Sequence, residues 1–353
     1  MSLIQQIHKI LTRYPVSELA RTFFAQPGLV LAYQKRSLTV PQLPARMMID
    51  PCNICNLKCP LCPTGRRIPE ITPIRMEYEL FEHIIGLNPR LKMVDLYNLG
   101  EPFLNPDIFK MLALCNTKGI RTAIHTNMSA YDTNLVEKII ENPPTRLHLS
   151  VDGIRQETYG IYRKGGKFSK VMTNMEYLSK RIRETGRGPS VEWAFLYHKG
   201  NRMDLEAAEE KAGSLGFTFF ARPIVIPMKQ ADRWHDPETL EKEPVTFKAD
   251  VVCPHLWLQM TLRPNGALAF CCFGYLDTDD VSEPLSSINT PEQLLELWNT
   301  SIFRRARACF SRKGQYREIK KPILCEICTN YPRTGGLDPE KHPYETPFRE
   351  WMD

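Results

Sequence analysis

Long hydrophobic runs are missing from the sequence: no apolar stretch approaches the roughly 20 residues of a membrane-spanning helix. The N-terminus lacks the continuous apolar core and small-residue cleavage site of a secretory signal. Glycine, at 19, and proline, at 28, are too few for a fibrous or disordered chain. The net charge of +6 is dispersed over 353 residues, which argues against a nucleic-acid partner. The sequence therefore predicts a globular cytoplasmic protein without a transmembrane segment.

Cysteine, by contrast, is abundant and clustered. Four of the 11 cysteines fall in one short stretch, and five more lie in the last third of the chain: Cys52, Cys55, Cys59 and Cys62, then Cys253, Cys271, Cys272, Cys325 and Cys328. In a reducing cytosol, clustered cysteines more often bind metal than form disulfides. The pattern therefore predicts two metal-binding regions.

The region between residues 45 and 224 alternates strand-like and helix-like segments. The predicted strands are Ala45–Asp50, Met93–Asn98, Arg121–Thr126, Arg146–Val151, Val191–Tyr197 and Phe217–Ile224. The predicted helices are Met76–Ile85, Pro106–Lys118, Asn134–Glu141, Phe168–Glu184 and Leu205–Leu215. This alternation indicates an α/β fold with a parallel sheet, either open or curled into a barrel.

Unusual polar sequences follow five of these predicted strands. They are the Cys52–Cys62 stretch, Gly100-Glu101-Pro102, Thr126-Asn127, Ser150-Val151-Asp152-Gly153 and His198-Lys199-Gly200-Asn201. In parallel α/β folds the active site forms where loops leave the carboxyl ends of the strands. We therefore expect these loops to line one active site.

The rest of the chain divides around this core. Residues 1–44 carry apolar side chains at helical spacing and predict an N-terminal helical segment, which we expect to pack on the core rather than lie on a membrane. Residues 225–252 are polar and poorly patterned, as in a linker. Residues 253–331 form a small cysteine-bearing module, and residues 332–353 a proline-rich tail.

The spacing of Cys55, Cys59 and Cys62, with three and then two intervening residues, suits a metal cluster. Three thiolates on a 4Fe–4S cluster leave one iron without a protein ligand, so that iron can bind a small molecule. A structural zinc ion would need four ligands, and Cys52 is a candidate for the fourth. Spacing alone leaves both metals open.

Together with Gly100-Glu101-Pro102 and the motifs on the following strands, this stretch resembles the radical S-adenosylmethionine (radical SAM) superfamily. The resemblance covers residues 45–224 and implies a partial (β/α)6 TIM-like barrel. It implies that Cys55, Cys59 and Cys62 hold a 4Fe–4S cluster whose open iron binds SAM. An electron, supplied by a flavodoxin- or ferredoxin-type donor, would cleave SAM to methionine and a 5′-deoxyadenosyl radical.

The same resemblance implies roles for residues around SAM. Gly100 and Glu101 would hold its amino group, Thr126 and Asn127 would line the rim, and Ser150 and Asp152 would face its carboxylate and ribose. Arg163 would pair with the carboxylate, since a guanidinium suits that group. The chain departs from the family at Leu61, where an aromatic residue is common, and at Cys52, which we expect to be a buried bystander.

The C-terminal module contains a predicted hairpin at Asn265-Gly266, a Leu-x-x-Leu-Trp-Asn run ending at Asn299, and a Cys-x2-Cys pair. It resembles the SPASM module of many radical SAM enzymes, whose full pattern has seven cysteines. The smaller number here implies one auxiliary 4Fe–4S cluster, held by Cys253, Cys271, Cys325 and Cys328. A zinc ion on the same four cysteines is the alternative.

An auxiliary cluster suits oxidation of a substrate carbon, whereas Cys272 could instead return a hydrogen atom in an epimerisation. The 44 residues before the core look too short for a peptide-recognition domain. We therefore expect a small-molecule substrate, such as a sugar or aminocyclitol, rather than a ribosomally made peptide. A non-catalytic, metal-bound scaffold is the remaining alternative.

Overall fold

A computed structural model describes residues 26–224, 234, 252–272, 274, 282–310 and 325. It contains one eight-stranded sheet with the order β6-β5-β4-β3-β2-β1-β7-β8. The strands are β1 Arg46–Ile49, β2 Met93–Asp95, β3 Arg121–Thr126, β4 Arg146–Ser150, β5 Ser190–Tyr197, β6 Thr218–Pro223, β7 Met260–Leu262 and β8 Leu268–Ala269. Neighbouring strands are parallel except β7 and β8. The predicted parallel sheet is confirmed.

In the described residues, one or two α-helices follow each of the strands β1 to β5. The α-helices are α1 Pro27–Lys35, α2 Pro63–Arg66, α3 Tyr78–Gly86, α4 Ile108–Thr117, α5 Asn134–Glu141, α6 Gln156–Tyr162, α7 Phe168–Thr185, α8 Leu205–Leu215, α9 His255–Leu258, α10 Pro291–Trp298 and α11 Ser301–Ala308. The five helices predicted in the core are confirmed. Helix α6 was not predicted, because Gly160 in its centre lowers helix propensity. None of the described helices is long and apolar enough to cross a bilayer.

The two faces of the sheet differ in polarity. Strand β5 alternates buried and half-buried side chains, so that Trp193 and Phe195 point to one face and Glu192 to the other. The apolar face packs with α7 side chains such as Met175 and Leu178 in the main core. The other face carries mainly polar side chains and remains partly accessible. In a curled sheet of this kind, it is the inner face of the partial barrel.

The C-terminal region extends the same sheet. Its hairpin is confirmed: β7 and β8 are antiparallel, and Gly266 turns between them with a φ of +83°. The sequence does not predict that β7 pairs in parallel with β1, with Thr261 opposite Met48. The residues of the proposed module therefore continue the sheet of the core.

Helices α10 and α11 attach this region to residues 37–40. The Asn299 amide donates to the Val40 carbonyl oxygen at 2.8 Å, and its own oxygen accepts from the Val40 backbone N–H at 2.8 Å. The buried Arg307 donates to the carbonyl oxygen of Leu38 at 3.0 Å. Residues 1–25, most of the predicted linker, the tail 332–353 and Cys328 lie outside the described residues, so those predictions remain untested.

Candidate active site

The cysteine loop, residues 52–62, follows the carboxyl end of β1 and ends directly before α2. Cys59 is 5% exposed, and Cys55 and Cys62 are half-buried. All three pack in one apolar cluster with Leu57, Tyr162, Ile224 and Trp234. The loop is fixed by a backbone hydrogen bond from Lys58 N to the Lys164 oxygen at 2.9 Å. These three thiols therefore share one apolar environment at the edge of the sheet.

Cys52 lies apart from the other three cysteines. Its side chain is fully buried, and its thiol donates to the backbone oxygen of Glu101 at 3.2 Å. Among the described residues, no three Cys, His, Asp or Glu side chains converge to hold a single metal ion. The Cys52 thiol is therefore directed away from the three thiols that share the apolar cluster. Three thiols in an apolar loop, with a fourth directed elsewhere, fit a three-thiolate cluster.

Gly100 lies directly against the backbone of the cysteine loop. A Cβ atom at this position would meet the carbonyl oxygen of Cys52 and would lie 2.8 Å from that of Ile54. The next residue, Glu101, donates its backbone N–H to the same Ile54 oxygen at 2.8 Å. The absence of a side chain at residue 100 is therefore what lets the β2 loop and the cysteine loop touch.

Gly100→Ala is expected to displace the cysteine loop, because two backbone carbonyls cannot yield as a flexible side chain would. We expect a destabilisation of roughly 2–4 kcal/mol, within the range of severe single substitutions, and less iron retained per chain. Urea unfolding and iron analysis measure these effects. Gly213→Ala in α8, where a Cβ meets nothing within 4 Å, is the control and should be neutral or slightly stabilising. Equal behaviour of the two variants would contradict the prediction.

The Glu101 side chain is buried and held by the end of β3. Its carboxylate accepts hydrogen bonds from the Thr126 hydroxyl at 2.7 Å and the Asn127 backbone N–H at 2.8 Å. The Asn127 amide also donates to Asn56 Oδ1 in the cysteine loop at 3.0 Å. Burial raises the pKa of Glu101 to about 7, although these hydrogen bonds favour the ionised form. The three predicted residues are therefore one connected group beside the cysteines.

The raised pKa of Glu101 predicts a pH-dependent stability. The folded-state pKa of about 7 exceeds the usual value of 4.5 for a glutamate. The contribution of Glu101 to the free energy of unfolding is therefore full below pH 4.5 and is lost as the pH rises through 7. In the absence of SAM, the free energy of unfolding of the unsubstituted protein should fall by up to roughly 3 kcal/mol between pH 5 and pH 8, and Glu101→Gln should abolish this fall. Urea unfolding of both proteins at the two pH values measures this difference. Identical pH dependence in the two proteins would show that Glu101 does not titrate there.

Asp152 and Arg163 form a buried ion pair at the end of β4. Arg163 Nε donates to Asp152 Oδ2 at 2.6 Å, and the side chains are 13% and 0% exposed. The other Asp152 oxygen accepts from Leu196 N at 2.8 Å. Burial opposes the Arg163 charge, but Asp152 and Cys59 outweigh it and raise the pKa of the guanidinium. Ser150 is half-buried, two residues before Asp152, on the same edge of the sheet.

A row of polar side chains crosses the inner face and was not predicted from the sequence. The rings of Tyr97 and His125 stack with centroids 3.6 Å apart, and His148 lies 4.2 Å from His125. His148 Nδ1 is 2.6 Å from Glu192 Oε1. Burial lowers the pKa of His125 well below its usual value, and the hydrogen bond from His148 lowers the pKa of Glu192. The sequence contains a signal for this row, because both histidines alternate with apolar residues in β3 and β4 and so belong to the face opposite the core.

Three of the four C-terminal cysteines proposed to bind the auxiliary cluster are in the described residues. Cys253 and Cys325 are 7% and 6% exposed, and Cys271 is half-buried two residues after β8. The fourth, Cys328, is outside the described residues. Cys272 is half-buried beside Cys271. None of the ten described cysteines is in a disulfide, as expected for metal-binding thiols.

Family models match both cysteine-bearing regions of the chain. Residues 49–189 match the radical SAM superfamily, and residues 253–330 match the SPASM iron–sulfur cluster-binding domain. The chain is a radical SAM protein with a SPASM domain. Its cofactors are accordingly SAM, the 4Fe–4S cluster of the radical SAM domain and auxiliary iron–sulfur in the SPASM domain. The predicted superfamily is confirmed.

The chain is 27% identical over 331 residues to the AdoMet-dependent heme synthase of Methanosarcina barkeri, covering 82% of this chain and 93% of that protein. It resembles the solved structure of Streptococcus suis SuiB bound to S-adenosylmethionine, with a TM-score of 0.60 and 14% identity, over 81% and 72% of the two chains. For anSMEcpe with bound AdoMet the TM-score is 0.53 and the identity 17%, over 75% and 84%. These two likenesses support the partial TIM-barrel fold.

Proposed function

We propose that this radical SAM enzyme removes a hydrogen atom from a carbon of a polar small molecule and oxidises that carbon. The observation that carries the proposal is the pairing of β1 with β7 in one sheet. The cysteine loop follows β1, and Cys271 follows the hairpin that begins with β7. The two sets of cysteines thus border the same strip of the inner face, and a substrate lying there would be near both.

In this proposal Cys55, Cys59 and Cys62 hold the 4Fe–4S cluster, and Cys253, Cys271, Cys325 and Cys328 hold one auxiliary cluster. When bound, the first cluster and SAM supply a 5′-deoxyadenosyl radical, and the auxiliary cluster supplies an electron acceptor. Glu101, supported by Thr126 and Asn127, and Arg163, supported by Asp152, orient SAM, with Gly100 and Ser150 lining its site. Leu57, Tyr162 and Trp234 exclude water around the cysteines.

The inner face favours a substrate with hydroxyl groups. Tyr97, His125, His148 and Glu192 supply both donors and acceptors of hydrogen bonds there, and Glu192 is 33% exposed. The proton that the substrate hydroxyl loses when its carbon is oxidised to a carbonyl therefore has a route to solvent through His148 and Glu192. We accordingly keep a sugar or aminocyclitol as the proposed substrate class. Epimerisation with Cys272 as the hydrogen donor, and modification of a peptide, remain predictions.

A second candidate is oxidation of a carboxylate-bearing tetrapyrrole. It is supported by the relative named AdoMet-dependent heme synthase and by the arginines of the inner face. Arg121, Arg146 and Arg222 alternate with core residues on β3, β4 and β6, and Arg46 pairs with Asp95 at 2.6 Å. Arginines of this kind suit carboxylates.

Anaerobic reconstitution tests the proposed function. The enzyme should bind roughly eight iron atoms per chain, as two 4Fe–4S clusters require, and should form 5′-deoxyadenosine when reduced. A flavodoxin or ferredoxin should replace a chemical reductant. Sugars and aminocyclitols, iron-coproporphyrin III and short peptides should then be compared for oxidised product. A colourless zinc protein that forms no 5′-deoxyadenosine would contradict the proposal and support the scaffold alternative.

A further inference from the structure

Three buried polar atoms at or next to β1 and β7 have no hydrogen-bond partner among the described residues. They are Asp50 Oδ1, Thr261 Oγ1 and Gln259 Nε2, and their residues are 2%, 2% and 9% exposed. Asp50 follows the last residue of β1, and Gln259 precedes the first residue of β7. Buried polar atoms in folded proteins nearly always have a protein, water or ligand partner. Three such atoms in one place therefore require an explanation.

The register of the strands places these three side chains on the same face. Thr261 is opposite Met48, and Met48 is opposite Asp95, whose carboxylate belongs to the inner face. Alternate residues of a strand share a face, so Asp50 lies with Met48, and Gln259 with Thr261. The hydrogen bond from Asp50 N to the Leu262 oxygen at 3.0 Å continues the ladder beyond β1. All three side chains therefore belong to the inner face.

The three side chains also run between the two sets of proposed cluster ligands. Asp50 is two residues before the cysteine loop, at the carboxyl edge of the sheet. Thr261 is paired with Ala269 of β8, two residues before Cys271. We call the part of the inner face that carries these three side chains the substrate strip. At the rise of a β-strand, it extends about 13 Å from Gln259 to the level of Asp50. That length accommodates a sugar-sized ring with its substituents.

We infer that Asp50, Thr261 and Gln259 bind the hydroxyl groups of the substrate, an inference that rests on the proposed function. A hydroxyl can donate to Asp50 Oδ1, accept from Gln259 Nε2, and do either with Thr261 Oγ1. Arg263, 5% exposed and bound to the Gly274 oxygen at 3.0 Å, places a positive charge near Asp50. The Asp50 carboxyl and the Arg263 charge offset each other, so the substrate strip favours neutral hydroxyls over acids. The three residues are binding residues that hold the substrate between the two clusters.

The test compares Thr261→Val with Thr158→Val in the reconstituted holoenzyme with SAM and no reductant. Thr158 is also buried, but its hydroxyl is bonded to Asp204. An isosteric change at an unpartnered hydroxyl removes a polar atom that has nothing to bind, whereas the same change at Thr158 breaks a hydrogen bond. We expect Tm to rise by roughly 1–3 °C for Thr261→Val and to fall by a similar amount for Thr158→Val.

The ligand arm of the experiment uses myo-inositol as the hydroxylated probe. It should raise the Tm of the unsubstituted enzyme, and Thr261→Val or Gln259→Met should reduce that shift at least twofold, whereas Thr158→Val should keep it. A fall in Tm for Thr261→Val would overturn the inference, because it would mean that the hydroxyl has a structural partner such as an internal water. The inference would also be overturned if myo-inositol did not raise the Tm, or raised it equally in all variants.

The formation of 5′-deoxyadenosine separates this inference from the proposed function. The unsubstituted enzyme should form 5′-deoxyadenosine when it is reduced with SAM, whether or not myo-inositol binds to it. If the unsubstituted enzyme does not cleave SAM, the proposed function is contradicted. The Tm comparison would still show whether the Thr261 hydroxyl has a partner. If the enzyme cleaves SAM normally but the expected Tm differences are not seen, only the inference that Asp50, Thr261 and Gln259 bind the substrate is contradicted.

Discussion

Cys59→Ala is expected to abolish SAM cleavage and to leave the radical SAM domain without its cluster. A 4Fe–4S cluster held by three thiolates cannot lose one of them and keep its geometry. Cys59 is also the most buried of the three, at 5% exposure, so water cannot easily replace it. We expect iron to fall by about half, to roughly four atoms per chain, as the auxiliary cluster remains. Iron analysis and 5′-deoxyadenosine formation after reduction measure the two effects.

Cys52→Ala is the matched control, since it removes another buried thiol from the same loop. The Cys52 thiol donates to the Glu101 backbone oxygen and packs away from the other three cysteines. We expect full iron content, retained SAM cleavage and a stability loss of roughly 1 kcal/mol from the small cavity. Loss of SAM cleavage in Cys52→Ala would make Cys52 a fourth ligand and remove the open iron that the proposed mechanism needs.

Arg163→Met is expected to have the second-largest effect, on both stability and SAM binding. The substitution keeps much of the side-chain volume but leaves the fully buried Asp152 carboxylate without its cation. Breaking a buried ion pair by removing one partner typically costs about 3–5 kcal/mol. Arg163 also lies beside Cys59, so SAM should bind at least tenfold more weakly. Urea unfolding and equilibrium binding of SAM to the unreduced enzyme measure the two losses.

The control for this prediction is an ion pair on the surface. Lys211 Nζ lies 2.6 Å from Glu176 Oε1, and the two side chains are 38% and 53% exposed. Exposed pairs contribute little because water screens them and both side chains lose entropy. Lys211→Met should therefore leave SAM binding unchanged and alter stability by less than roughly 1 kcal/mol. A similar loss in the two variants would show that the Arg163 pair is not special.

Local structure was largely predictable from the sequence where periodicity is strong. The predicted bounds of β3, α5 and α8 are those of the structure, because alternating or helical apolar patterns mark both ends of these elements. Gly216 ends α8 with a φ of +76°, as its position after the helix predicts. The strand-end motifs were also placed correctly, since parallel strands bring their carboxyl ends to one edge.

Partners distant in sequence were not predictable in the same way. No local pattern shows that β7 pairs with β1, or that Asp152 and Arg163 bind each other while both are proposed to orient SAM. Asp50 looked like the last residue of an apolar strand, and its unpartnered oxygen becomes visible only when β7 is beside it. Such properties depend on which surfaces meet after folding, which a single sequence does not encode locally.

The pairing of β1 with β7 also has a consequence for how the chain folds during synthesis. Ile49 is opposite Leu262, 213 residues later, so one edge of β1 has no partner until the C-terminal region has been made. At roughly 5–20 residues per second, that edge waits about 10–40 s after leaving the ribosome. An unpaired strand edge invites association with other chains. The nascent protein thus passes through an interval in which the unpaired edge of β1 is open to association with other chains.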